Sequence, residues 1–154
     1  MAQARVRWVF LAYRLPREPS TPRIAVWRKL RRLGAAQLLD GLVALPAEPR
    51  TREQFEWVAD EIVEAGGDAS LWLAEAADRA VERGLIDQIR SRAADDYRAV
   101  LDELQGLGDD ISIRTLRRMR RELQRIAHRD FFPPPERDAA HRGVAEAAER
   151  EPVQ

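Results

Sequence analysis

Residues Leu15 to Gly34, LPREPSTPRIAVWRKLRRLG, place six arginine and lysine side chains against one glutamate. The chemistry open to such a cluster is anion binding, because a guanidinium presents a planar fork of donors that phosphate or carboxylate oxygens engage two at a time. Arg17 precedes the helix and Arg23 opens it, while Arg28, Lys29 and Arg32 project from the side opposite Val26, Trp27, Leu30 and Leu33. A second cluster lies between Ser112 and Arg129, where Arg114, Arg117, Arg118, Arg121 and Arg125 share one helical arc and Glu122 is the only acid. Five adjacent guanidiniums repel one another, and a polyanion relieves that repulsion while releasing its counterions. Two accounts need no external ligand. Cations near a helix C-terminus gain about 0.3–1 kcal/mol each from its dipole. Alternatively, the stretch 35–110, with seven basic and eighteen acidic side chains, could receive these faces internally, for instance through Asp87, Asp95, Asp96, Asp102 and Glu103. All basic residues but Lys29 are arginine, which suits phosphate binding and GC-rich coding equally.

Other chemistries find little support. Asp95-Asp96 and Asp109-Asp110 are sequence neighbours whose side chains diverge, and His128 and His141 stand apart from any acid–base or ligand cluster. There is no cysteine, which removes thiolate nucleophiles, cysteine zinc sites and disulfides and suits a reducing cytoplasm. Phosphate-cradling glycine motifs are missing too. The expectation is a non-enzyme with no catalytic residue, no metal and no cofactor. The apolar run in VRWVFLAYRL is short and followed by arginines, and no stretch reaches the roughly 20 apolar residues that span a bilayer. A cytoplasmic location without a membrane partner is expected.

The elements that must position these clusters can be read from periodicity. RVRWVFLAY, residues 5–13, reads as a central strand buried on both faces. PREPSTP then forbids regular structure until Thr21, a candidate N-cap for a helix over 22–33 with Pro22 at its first position and Gly34 at its end. AAQLLDGLVALP reads as two strands hinged at Asp40-Gly41, a pair suited to a type I′ turn. Thr51 and Gln54 stand in capping-box spacing before a helix over 52–65 that stops at Gly66-Gly67, and residues 69–75 alternate as a fourth strand. The four tryptophans, at 8, 27, 57 and 72, each fall on one of these elements and are expected in the core. The order predicts an α+β, ferredoxin-like (split βαβ) antiparallel sheet with two helices over residues 1–75. A helical hairpin over 76–130, packed on or extending that core, follows, and then a tail over 131–154 broken by FFPPPE, whose remainder, rich in Ala and Glu without large apolar residues, is expected to be a loose helix or a mobile segment.

Three segments, YRLPREPSTPRIAVWRKLRRLGAAQLLDGLVALPA, EQFEWVADEIVEAGGDASLW and RRELQRIAHRDFF, resemble the N-terminal domain of the ChrB chromate-resistance regulators over roughly residues 5–132. The resemblance implies a cytoplasmic transcriptional repressor that occupies the promoter of a chromate efflux operon and leaves it when chromate enters the cell, with DNA contact in this domain. Longer members continue into a second domain to which sensing is attributed, whereas this chain ends at Gln154, so a separate sensor polypeptide is a candidate partner. A ferredoxin-like core with a basic face is also similar to that of small CRISPR-associated nucleases. Their metal-holding Asp at the end of the first strand has no counterpart in Ala12-Tyr13-Arg14, so their catalysis does not carry over.

The combined expectation is a repressor-like DNA-binding regulator associated with chromate resistance, acting as a homodimer on double-stranded promoter DNA without the family's sensor domain. Its phosphate contacts are assigned to Arg17, Arg23, Arg28, Lys29, Arg32, Arg114, Arg117, Arg118, Arg121 and Arg125. The alternative is a non-catalytic interaction or assembly module whose arginine faces pair with acidic surfaces.

Overall fold

The computed structural model describes residues 5–150, which divide into two compact units at Gln88/Ile89. The first unit runs β1 (Arg7–Arg14), α1 (Thr21–Leu33), β2 (Ala36–Leu39), β3 (Leu42–Pro46), α2 (Pro49–Glu64) and β4 (Asp68–Glu75). Its four strands form one sheet in the order β2-β3-β1-β4 with every neighbouring pair antiparallel, an α+β architecture. β1 is interior, as its apolar character requires: Val9 stands opposite Leu45 on β3 and Leu73 on β4. Trp8 and Val9 point to opposite sides of the sheet and both are fully buried, so β1 is covered on both faces. α2 packs on β1 and β4, and α1 packs on α2.

Local signals explain most of the boundaries. α1 has Pro22 in its first turn and closes on Gly34 at φ +82°, whose backbone N–H reaches the Arg31 carbonyl at 3.1 Å. The N-cap is Ser20 rather than Thr21, and its side chain makes no capping bond. α2 starts three residues earlier than expected, because the capping box is built from Glu48 and Thr51 rather than from Thr51 and Gln54. The Thr51 hydroxyl accepts from the Glu48 N–H at 3.0 Å and donates to the Pro46 carbonyl at 2.6 Å. It ties the end of β3 to the helix start. The Asp40-Gly41 turn is not type I′: only Gly41 has positive φ, at +84°, and its carbonyl accepts from the Tyr13 N–H at 2.8 Å.

Three of the four tryptophans contradict the expectation of burial. Trp8 is in the core, but Trp27, Trp57 and Trp72 are 51%, 69% and 61% exposed. Trp27 and Trp57 each lie one position off the buried stripe of their helix: Val26 and Leu30 are buried on α1, and Phe55, Val58 and Ile62 on α2. β4 is a sheet edge whose side chains remain largely in solvent.

α3 (Arg79–Leu107) is one 29-residue helix, so the boundary expected at residue 75 falls within it instead. Its first ten residues belong to the first unit. Glu82 accepts from the Val6 N–H at 2.7 Å, and the Gln88 amide bonds both backbone groups of Gln37 on β2 at 2.9 Å.

The second unit combines the remainder of α3 with α4 (Ile113–Ala127) and α5 (Glu136–Glu149). Tyr97, Val100, Leu116, Met119, Leu123 and Ile126 fill its core. The tail expected to be mobile is corrected over α5, where Ala140, Val144 and Ala147 are buried in that same core. Small residues suffice because the helix approaches closely: a Cβ on Gly143 would stand 3.2 Å from Leu104. Residues 151–154 of that tail lie outside the described residues.

Tyr97 is fully buried and donates its hydroxyl to Asp130 at 2.8 Å. Burial first, and then the Asp130 hydrogen bond, push its pKa far above the ordinary value of 10.0. The unfolded chain therefore releases this proton near pH 10 while the folded chain keeps it, so the Tyr97 contribution to stability is fully present below pH 10 and is lost as pH rises beyond it. Tyr97→Phe is expected to flatten that alkaline fall in urea melts taken from pH 8 to 11. An unchanged alkaline slope would assign it to other groups.

Candidate functional site

The α1 surface and the α4 surface lie in different units and each is complete within its own. On the first, Arg17, Arg23, Arg28 and Arg32 are exposed and form no ion pair among the described residues. Lys29 differs, since it is half-buried and holds Glu61 of α2 at 2.7 Å. Arg31, which sequence reasoning passed over, stacks its guanidinium 5.3 Å from the centre of the Trp27 ring. The i,i+4 spacing of Trp27 and Arg31 carried that signal.

Trp27 also lines an open cleft of about 450 Å³ between the N-terminal half of α1, the end of β1 and the β2–β3 turn. Tyr13, Arg14, Ser20, Arg23, Ile24 and Asp40 are among its other lining residues. Burial raises the Tyr13 pKa, Arg23 lowers it and Asp40 raises it, with burial dominant. The phenol thus stays a neutral donor at physiological pH. A cleft is a property of three elements meeting, and no single segment of sequence announces it.

The Glu103 carboxylate, by hydrogen bond and charge, holds the Arg118 guanidinium above its ordinary pKa on the α4 surface. Arg125 pairs with Glu122 at 2.6 Å, and Arg129 with Asp96 at 3.0 Å. Arg114, Arg117 and Arg121 are exposed and form no ion pair among the described residues, and the same holds for Arg120. The buried stripe of Leu116, Met119, Leu123 and Ile126 orients these arginines outward, and Ser112 caps the helix by accepting from the Thr115 N–H at 3.1 Å. Internal neutralisation therefore reaches Lys29, Arg118 and Arg125 and leaves seven of the ten expected cations unpaired. Of the five carboxylates expected to receive the α4 face, only Glu103 does so among the described residues; Asp96 holds Arg129 just past the end of α4, and Asp95 pairs with Arg98 on its own helix.

Among the described residues no group of three or more His, Cys, Asp or Glu could hold a metal ion. No helix among them is long and apolar enough to cross a membrane.

Fold and surfaces together define an α+β domain joined to a three-helix unit, each displaying an arginine-rich helix. The chain belongs to the family described as Protein ChrB, N-terminal, whose model matches residues 23–113. That span takes in α1 and its cleft-lining Arg23, Ile24 and Trp27, and ends just before Arg114. Over 136 residues the chain is 30% identical to Protein ChrB of Cupriavidus metallidurans, covering 82% of this chain and 40% of that protein. It thus spans less than half the length of that relative. No solved structure matches the chain.

Proposed function

We propose that the chain is the DNA-binding part of a repressor-like regulator associated with chromate resistance, docking on duplex DNA through α1 and α4. One observation carries the reading: seven of the ten arginine and lysine side chains assigned from sequence stand exposed with no carboxylate within 4.0 Å among the described residues. A solvated helix ordinarily intersperses acids at i,i+4 to offset such charge, and leaving it unbalanced is useful when phosphates supply the counter-charge. Family membership supports the association with chromate. The reading carries no catalytic step, and its setting is the cytoplasm.

A homodimer would present both surfaces twice, as paired half-sites require. The edge strand β4, with Trp72 and Leu73 exposed on its two faces, supports self-association. A monomer mass by light scattering would remove that part of the reading.

The assembly-module reading rests on the Arg118–Glu103 and Arg125–Glu122 pairs, which show that acidic side chains do engage α4. The experiment that separates the two is a gel shift with the duplex upstream of the chain's own gene and an unrelated duplex of equal length, each with and without chromate. Preferential retention of the upstream duplex is expected, and weakening by chromate would place the sensor in this chain rather than in a partner. Absent binding to both duplexes favours the assembly module, and equal retention of the two removes the promoter-specific part of the reading while keeping phosphate contact.

A further inference from the structure

We propose that the cleft beside α1 is a nucleotide site, in which a base lies against Trp27 and a phosphate meets Arg23. Its volume of about 450 Å³ falls within the roughly 300–1,000 Å³ of small-ligand sites, which combine apolar walls with a few converging polar groups. The walls are unusual for a surface. Ile24 is 47% exposed and Trp27 51%, so an indole and a branched aliphatic chain remain in water beside each other, a cost that stacking of a flat ring would remove. The Arg31 guanidinium on the ring fixes its orientation.

Polar groups around these walls narrow the ligand. Arg23 has no ion pair and offers a fork to an anion. Asp40, at the turn, also has no ion pair among the described residues and its carboxylate accepts, so it selects N–H donors such as an exocyclic amine. Tyr13 and Ser20 supply hydroxyls. A simple oxyanion uses the arginines alone, Arg23 and the Asp68-paired Arg14, and a neutral aromatic uses Trp27 alone. A nucleotide uses ring, anion and donor at once.

Trp27 lines a second groove as well, shared with Arg28, Lys29, Arg31 and Arg32. The cleft therefore opens onto the cationic face, and the nucleotide can come from two sources: a free mononucleotide, or an unpaired nucleotide of a strand already held by those cations. Only the second source rests on the nucleic-acid reading above.

The test is quenching of tryptophan fluorescence in the full chain, titrated with AMP, adenosine, inorganic phosphate and a deoxyadenosine hexanucleotide. AMP is expected to quench saturably with a Kd of about 1 mM or tighter, with adenosine and phosphate each at least about tenfold weaker. Trp27→Phe should remove the quenching, which locates it, while Arg23→Ala should weaken AMP about tenfold. A hexanucleotide that binds more tightly than AMP, still through Trp27, identifies the strand as the source; equal binding identifies the free nucleotide. Quenching that survives Trp27→Phe, phosphate that binds as well as AMP, or no saturable signal from AMP or hexanucleotide would overturn the proposal. Duplex retention in the gel shift is read separately, so the cleft can fail while the interface stands.

Discussion

The double substitution Arg117→Glu, Arg121→Glu is expected to lower affinity for duplex DNA on the order of a thousandfold at 0.1 M salt while leaving the far-ultraviolet circular dichroism unchanged. The magnitude follows from counterion release, which makes each phosphate contact worth a factor of about 8 per tenfold dilution of salt. Two lost contacts account for roughly 60-fold, and two carboxylates set against phosphates add a repulsion of similar size. The fold is spared because both arginines are exposed and make no ion pair among the described residues, while the buried stripe of α4 is untouched. Arg118→Glu is the instructive contrast, since it sets two carboxylates against each other at Glu103. Its effect on the melting temperature should exceed that of the double variant. Intact duplex binding in the double variant, with altered mass or helicity, would instead support assembly through α4.

Gly41→Ala is expected to destabilise the first unit by about 3 kcal/mol, seen as a lower urea midpoint with the melting slope unchanged. Gly41 has φ +84°, where a side chain is strained, and a Cβ there would stand 2.3 Å from the Tyr13 carbonyl oxygen. That carbonyl belongs to the backbone of an interior strand and cannot swing aside. Relief requires the turn to lift, which breaks the hydrogen bond from Tyr13 N–H to the Gly41 carbonyl and opens one wall of the nucleotide cleft. Gly84→Ala is the control: nothing lies within 4 Å of the added Cβ in the second turn of α3, so a gain of about 0.5–1 kcal/mol is expected. A Gly41→Ala protein as stable as the wild type would mean that the turn is softer than its geometry implies.

What could be read ahead of the structure was whatever rests on local chemistry. Pro22 and Gly34 bracket α1 because one suits a first turn and the other a left-handed end. Trp8 and Val9 announced an interior strand because consecutive large apolar residues need two covered faces. Outward arginines on α4 followed from the apolar stripe opposite them.

Properties that arise between segments were not legible. Trp27, Trp57 and Trp72 looked like core by residue type, but type does not say which side of an element another segment will cover. The packing of α5 was not legible for the opposite reason: a loose helix was one expectation there, but alanine and glycine look too small to anchor it until a neighbouring helix comes close enough to touch them. Helical spacing showed which arginines share an arc but not that Lys29, Arg118 and Arg125 would find carboxylates.

The chain leaves the charge of these exposed arginines unbalanced, and the salt dependence of duplex binding reads that charge directly. Anisotropy titrations of a promoter-length duplex from 50 to 300 mM NaCl are expected to give a log–log slope of about −6, the release from roughly seven phosphates. A slope near zero, or no binding at the lowest salt, would contradict it.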